Sequence, residues 1–303
     1  MKSSLKPDWG SVLTAMVTPF DASGAIDEEG VRRLVEHLLA TGSDGLVVCG
    51  TTGEAPTLSL DEKRRMFALV KEATRGRGAV IAGTGTNDTR DAVAMSKMAE
   101  DVGMDGVLVV TPYYNKPSQQ GLYCHFRTVA ESISLPVMLY NVPSRTSVNL
   151  EATTCLRLAR DVPNIVALKE AGGNMLQISD VVAGAPEGFR VYSGEDALTL
   201  PMLALGASGV VSVTSHLVGR DLKAMIEAFR AGRHDEAFRL HAKMLPVVRA
   251  CFQPTTPSPV PLKAALNMLG LPVGPPRLPL VEATDREKEV VRTALASAGL
   301  LPQ

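Results

Sequence analysis

The sequence has almost no charge imbalance, few aromatic side chains, no paired cysteines and no long apolar run, and each shortage removes a class of function. Its 303 residues carry 31 basic and 32 acidic side chains, for a formal net charge of -1. That leaves no electrostatic footprint for nucleic acid or an anionic membrane. Aromatics are only 4%, with a single Trp, too few to build a stacking surface for a single strand. No stretch approaches the roughly 18 apolar residues that cross a bilayer. The first ten residues hold two lysines but no apolar segment of the kind a secretory signal needs. Cys49, Cys124, Cys155 and Cys251 are widely separated with no CxxC among them, so they are expected to be free thiols. No GxxxxGK[ST] occurs, and Gly83-Thr84-Gly85 lacks a third glycine at Asp88, which leaves a nucleotide site without support. The five histidines show no HExxH spacing, and no metal is expected. The expectation is a cytoplasmic protein with no nucleic-acid, membrane or metal partner.

Hydrophobic residues make up 45% and charged residues 21%, the balance of a chain that buries a sizeable core. Short apolar runs recur at 12–17, 46–49, 80–82, 107–110, 137–140, 165–168, 190–192 and 210–213. They do not alternate apolar with polar, which is how parallel strands read when both faces are covered. Helical spacing lies between them. Val31, Leu34, Val35, Leu38 and Leu39 form one stripe, Met95, Met98, Ala99 and Val102 another, and Ser59 with Glu62 reads as a capping box. Eight strand–helix alternations predict an α/β fold, a closed (β/α)8 TIM barrel over residues 1–214. An open doubly wound sheet is the runner-up. From 215 to 303 the pattern is helical only, broken by segments 254–261 and 272–279 that hold eight of the 20 prolines. This part reads as a C-terminal helical extension packed on the barrel.

A barrel carries its chemistry where strands end, and four strand ends hold reactive side chains. They are Gly50-Thr51-Thr52-Gly53-Glu54, Thr111-Pro112-Tyr113-Tyr114-Asn115, Tyr140-Asn141-Val142-Pro143-Ser144-Arg145, and Lys169-Glu170. Lys169 ends an apolar run, where burial disfavours the ammonium, and a neutral amine attacks carbonyls. Taken alone, a lysine leaving the barrel to meet solvent or Glu170 is the commoner case. Tyr140 is either a proton shuttle or a core tyrosine with a satisfied hydroxyl. Thr51 and Thr52, between glycines, either hold a small carboxylate or form a plain hydroxyl turn. Arg145 suits bidentate capture of a second carboxylate, although a loop arginine is usually just solvated. His216 follows the last strand and reads as structural. Glu54 and Glu170 receive no role.

Together these motifs, with TPYYNKPSQQG at 111–121, YNVPSRT at 140–146 and GVVSV at 209–213, resemble the pyruvate-dependent class I aldolases. Within them the likeness is to the dihydrodipicolinate synthase branch, and it runs from Val12 to about Leu301. The resemblance implies that Lys169 forms a Schiff base with pyruvate, with no cofactor beyond that covalent imine. The resulting enamine would attack L-aspartate 4-semialdehyde. It implies Tyr140, Thr51 and Tyr114 as a proton relay, Thr52 as the pyruvate carboxylate binder, and Gly194 and Val211 as backbone contacts near substrate. Arg145 would recognise the semialdehyde carboxylate, and Tyr113 would interdigitate at a subunit interface. One relay tyrosine crosses between subunits in this family, so the resemblance implies a dimer as the minimal active unit and a homotetramer, a dimer of dimers, as the usual assembly.

Ser258 stands where relatives carry asparagine. The competing readings are another Schiff-base 2-oxo acid aldolase, such as an N-acetylneuraminate or keto-sugar lyase, and a catalytically silent barrel used as a binding module. Some relatives are inhibited by L-lysine, and Asn87 and Tyr113 match contacts of that pocket. Ala55, Leu60, Lys63 and Asp91 depart from it. The added cation at Lys63 and the shorter Asp91 imply L-lysine inhibition that is weak or absent.

Overall fold

The computed structural model describes residues 7–301; both N-terminal lysines weighed above lie outside that range. Eight parallel strands close into a barrel: β1 Val12–Ala15, β2 Gly45–Val48, β3 Ala79–Gly83, β4 Gly106–Val110, β5 Val137–Asn141, β6 Ile165–Glu170, β7 Arg190–Ser193 and β8 Gly209–Ser212. The seam pairs Leu13 of β1 with Val211 of β8. Leu13, Val47, Ile81, Leu108, Met138, Tyr192 and Val211 fill the barrel interior. The alternate positions, such as Val12, Leu46, Val48 and Val80, join the larger cluster under the helices. Each strand is thus apolar on both faces, which is why its sequence does not alternate. Trp9 plugs the N-terminal end, and a Cβ on Gly106 would come within 2.6 Å of its ring.

The helices begin where local side chains satisfy free amides. Ser59 and Glu62 form the capping box of helix Leu60–Thr74, while Asp27 caps the first barrel helix, Glu28–Ala40, and Asp88, Ser118 and Asn174 cap later helices of the ring. Helix Ser215–Arg230 falls in the part of the sequence read as extension. It packs against β1, the first barrel helix and the short helix Thr199–Ala204, so it completes the outer ring of eight. The added part then comprises His234–Cys251, Val260–Met268 and Asp285–Ser297. These bury Ala250, Ala265, Val291, Ala294 and Leu295 among themselves. His234–Cys251 lies along Ser215–Arg230 and carries the following loop to the barrel mouth.

Candidate active site

A chamber of about 590 Å³ opens at the C-terminal end of the barrel, lined by Thr51, Thr52, Tyr140, Arg145, Lys169, Gly194 and Glu195 and roofed by residues 252–254 and 256–258 of the extension. Lys169 and Tyr140 face each other across the β5–β6 register. The Lys169 Nζ stands 4.2 Å from the centre of the Tyr140 ring, and Lys169 is only 4% exposed. Gly194 makes this possible, since a Cβ there would lie 3.1 Å from Lys169 Cε and 2.7 Å from Ala171 Cβ. The amine is therefore held in a confined, aromatic-flanked position rather than released to solvent.

Glu170 does not pair with it. Successive side chains on a strand point to opposite faces, and Glu170 is buried against Asn141 Nδ2 (3.0 and 3.1 Å) and the Gly172 N–H (2.6 Å). Burial raises its pKa, against the pull of those hydrogen bonds. Asn141 also donates to Asn149 Oδ1 and accepts from the Leu150 N–H, so Glu170 belongs to a network that fixes the loop after β5.

The loop after β2 turns back on itself through Gly53 N–H to Gly50 O and Glu54 N–H to Thr51 O, each 3.1 Å. Thr18 Oγ1 donates to Gly53 O at 2.7 Å. Thr52 is buried and Thr51 half-buried, and both line the chamber. Arg145 lies on the short helix Pro143–Thr146 and is exposed at the chamber rim. His216 is structural: its Nδ1 donates to Val213 O at 2.7 Å, and its Nε2 accepts from the Val17 N–H at 3.2 Å. That assignment requires the neutral ring, and burial pushes its pKa down to about 4. Val211 sits inside the barrel, and Val213, two residues on, lines the chamber instead.

Two tyrosines part company with the rest. Tyr114 is 88% exposed, with φ +73, and does not line the chamber of its own chain. Tyr113 instead lines a second cavity of about 280 Å³ with Ala55, Lys63, Thr86 and Met95, which reaches the back of Thr51 and Tyr140. Its hydroxyl lies 3.4 Å from Thr86 Oγ1, and the Lys63 ammonium lies 3.8 Å from the Met95 sulfur.

Reading four strand ends missed Glu195 and Asp196, which follow the end of β7. Glu195 faces the chamber; burial and Asp196 raise its pKa, while Lys169 and Arg145 pull it down. Asp196 accepts from Ser212 Oγ and from the Val213 and Thr214 N–H groups, and so secures the turn after β8. The strand-end rule applied to Ser193-Gly194-Glu195-Asp196 would have found both.

The profile of the dihydrodipicolinate synthetase family matches residues 8–298. The 4-hydroxy-tetrahydrodipicolinate synthase of Desulforudis audaxviator is 55% identical over 294 residues, covering 97% of this chain and 99% of the relative. That of Bacillus subtilis is 50% identical over 281 residues, covering 93% and 96%. Among solved structures, the synthase of Cyanidioschyzon merolae with lysine bound superposes with a TM-score of 0.95 at 47% identity, covering 97% of this chain and 99% of the other.

Proposed function

The chain belongs to the dihydrodipicolinate synthetase family, and from that premise we propose how its side chains perform the family's lyase reaction, the joining of pyruvate to L-aspartate 4-semialdehyde. One observation carries the reading: the buried Lys169 amine faces the Tyr140 ring at 4.2 Å, in a chamber shared with both loop threonines and Arg145. Thr52 and the backbone of its loop hold the pyruvate carboxylate. The Lys169 amine adds to C2, the carbinolamine loses water, and the protonated imine then loses a methyl proton to become an enamine. The enamine carbon attacks the semialdehyde aldehyde while Arg145 grips its carboxylate. The substrate's own amine then attacks C2, closes the ring and expels Lys169, giving 4-hydroxy-tetrahydrodipicolinate. The iminium is itself the electron sink, so the chemistry requires no metal.

Tyr140 passes the protons, with Thr51 as its partner and Tyr114 supplied by a neighbouring subunit. The exposure of Tyr114 on its own chain supports that exchange, as does the family's dimer-of-dimers assembly. Gly194 leaves room for the imine beside Lys169, and Val211 forms the floor beneath it. Four free cysteines agree with a reducing cytoplasm, and among the described residues no helix is long and apolar enough to cross a membrane. We also propose weak or absent inhibition by L-lysine, because Lys63 puts an ammonium on the wall of the Tyr113 cavity while Asp91 is exposed. Titration with L-lysine tests this, and submillimolar inhibition contradicts it.

A coupled assay with pyruvate and either L-aspartate 4-semialdehyde or N-acetylneuraminate tests the reaction. Turnover with the semialdehyde alone is expected. Turnover only with the sugar acid would shift the reading to a lyase of that class, and turnover with neither would make the barrel a binding module.

A further inference from the structure

The loop that carries Thr51 and Thr52 is bounded by two non-glycine residues in left-handed backbone, Cys49 at φ +55 and Glu54 at φ +56. Such residues are uncommon, and they persist where the surroundings over-determine them. At Glu54 the surroundings come from the C-terminal extension. Its Oε1 lies 2.7 Å from Lys263 Nζ, and both side chains are 1% exposed. Its Oε2 accepts the Arg277 backbone N–H at 2.8 Å. Lys263 also donates to Pro275 O at 3.1 Å and stands 4.3 Å above the Phe20 ring. The Arg277 guanidinium donates to Gly24 O and Thr57 O, each at 2.8 Å, and pairs with Glu62.

Gain in stability is a poor explanation for this arrangement. Burying two ions costs solvation that their attraction barely recovers, and apolar replacements are often as stable. What the pair does achieve is directional. Glu54 is locked on its carboxylate side by two elements of the extension, and its own N–H holds Thr51 O at 3.1 Å. Gly53, between them, has no slack, since a Cβ there would meet Met16 O at 3.0 Å. A displacement of the Glu54 side chain is therefore passed to the threonines.

We propose that Glu54 and Lys263 are positioning residues, whose buried ion pair couples the C-terminal extension to the loop after β2 and keeps Thr51 and Thr52 aimed at Lys169. The proposal rests on the roles given to those threonines above. Its test uses the full chain in four forms: Glu54→Gln, Lys263→Met, the Glu54→Gln/Lys263→Met double variant, and Lys263→Arg. The double variant leaves no unpaired buried charge, so it is the form to rely on if a single variant fails to fold. With circular dichroism confirming the fold, the double variant is expected to lose at least tenfold in kcat and to raise the KM for pyruvate several-fold. Lys263→Arg should recover most of the kcat. A folded double variant with kcat and KM within twofold of the parent would overturn the proposal, whatever its melting temperature. Thr51→Val and Thr52→Ala, measured alongside, separate the two failures. If they are silent, the threonine roles are wrong; if they impair turnover while the double variant does not, the coupling is wrong.

Discussion

Two carboxylate–lysine pairs stand at opposite ends of the barrel and differ in what they fasten. At the N-terminal floor, Asp44 Oδ2 accepts the Ser11 and Val12 N–H groups at 2.7 and 3.0 Å and pairs with Lys223 of helix Ser215–Arg230. Each side chain keeps over a quarter of its surface exposed. The pair ties the start of β1 to the loop before β2 and to the ring helix, far from the chamber. At the mouth, Glu54 and Lys263 are sealed from water and hold a backbone in an uncommon conformation at the end of the loop that lines the chamber. The same ion-pair chemistry thus serves closure of the fold at one end and aim at the other, in keeping with the separation of stability and catalysis between the two faces of such barrels.

If the mouth is the catalytic end, the largest effects come from groups that move protons there. Tyr140→Phe is expected to lower kcat by about 10²- to 10⁴-fold with an unchanged circular dichroism spectrum. A loss below threefold would remove Tyr140 from the relay and weaken the contrast between the ends. Next in size is Arg145→Ala, which should raise the KM for the semialdehyde by roughly ten- to a hundredfold, the range of a lost charge-assisted hydrogen bond. An effect confined to pyruvate would reassign the residue to the first substrate. At the floor, Asp44→Asn should cost about 2 kcal/mol and a few degrees in melting temperature while leaving kcat and both KM values unchanged. A fall in kcat there would break the comparison outright.

The smallest effect distinguishes the two ends by the sign of their pH dependence. Burial works against the ionised Asp44, but Lys223 and the two N–H groups hold its pKa below the usual carboxylate range. Its contribution is therefore present above the unfolded pKa and is lost as pH falls through the folded one. The destabilisation of Asp44→Asn should shrink on acidification. Glu195 runs the other way, because burial and Asp196 raise its pKa. Its ionisation costs stability progressively as pH rises from the unfolded pKa to the folded one, in full above the folded pKa and not at all below the unfolded one. Glu195→Gln should melt above the parent at neutral pH, with the difference closing as pH falls to the ordinary glutamate range, about 4. Thermal melts of both variants across pH 3–8 check the opposed slopes.

The barrel was legible because each of its strands is apolar on both faces, a pattern with few structural solutions, and Ser59 and Glu62 announced a helix start through purely local bonds. Lys169, Tyr140, Thr51, Thr52 and Arg145 were legible as chamber residues because a strand end is visible in sequence. Glu195 was equally visible, two residues past the end of β7, because the same strand-end rule places it at the mouth. The role of Glu54 was not legible at all. Its partners Lys263 and Arg277 lie far along the chain, Arg277 at a separation of 223 residues, and no local pattern reports which loop an extension will touch. Helix Ser215–Arg230 was grouped with the extension because helices after the last strand look alike in sequence, whether or not they cover β1.

Imine formation by the Lys169 amine is the step on which every other proposed role at the mouth depends. Incubation with pyruvate followed by borohydride, then peptide mapping by mass spectrometry, should show irreversible inactivation with one reduced pyruvate adduct on Lys169, unaffected by a chelator. An adduct on another lysine, or activity that a chelator removes, would contradict it.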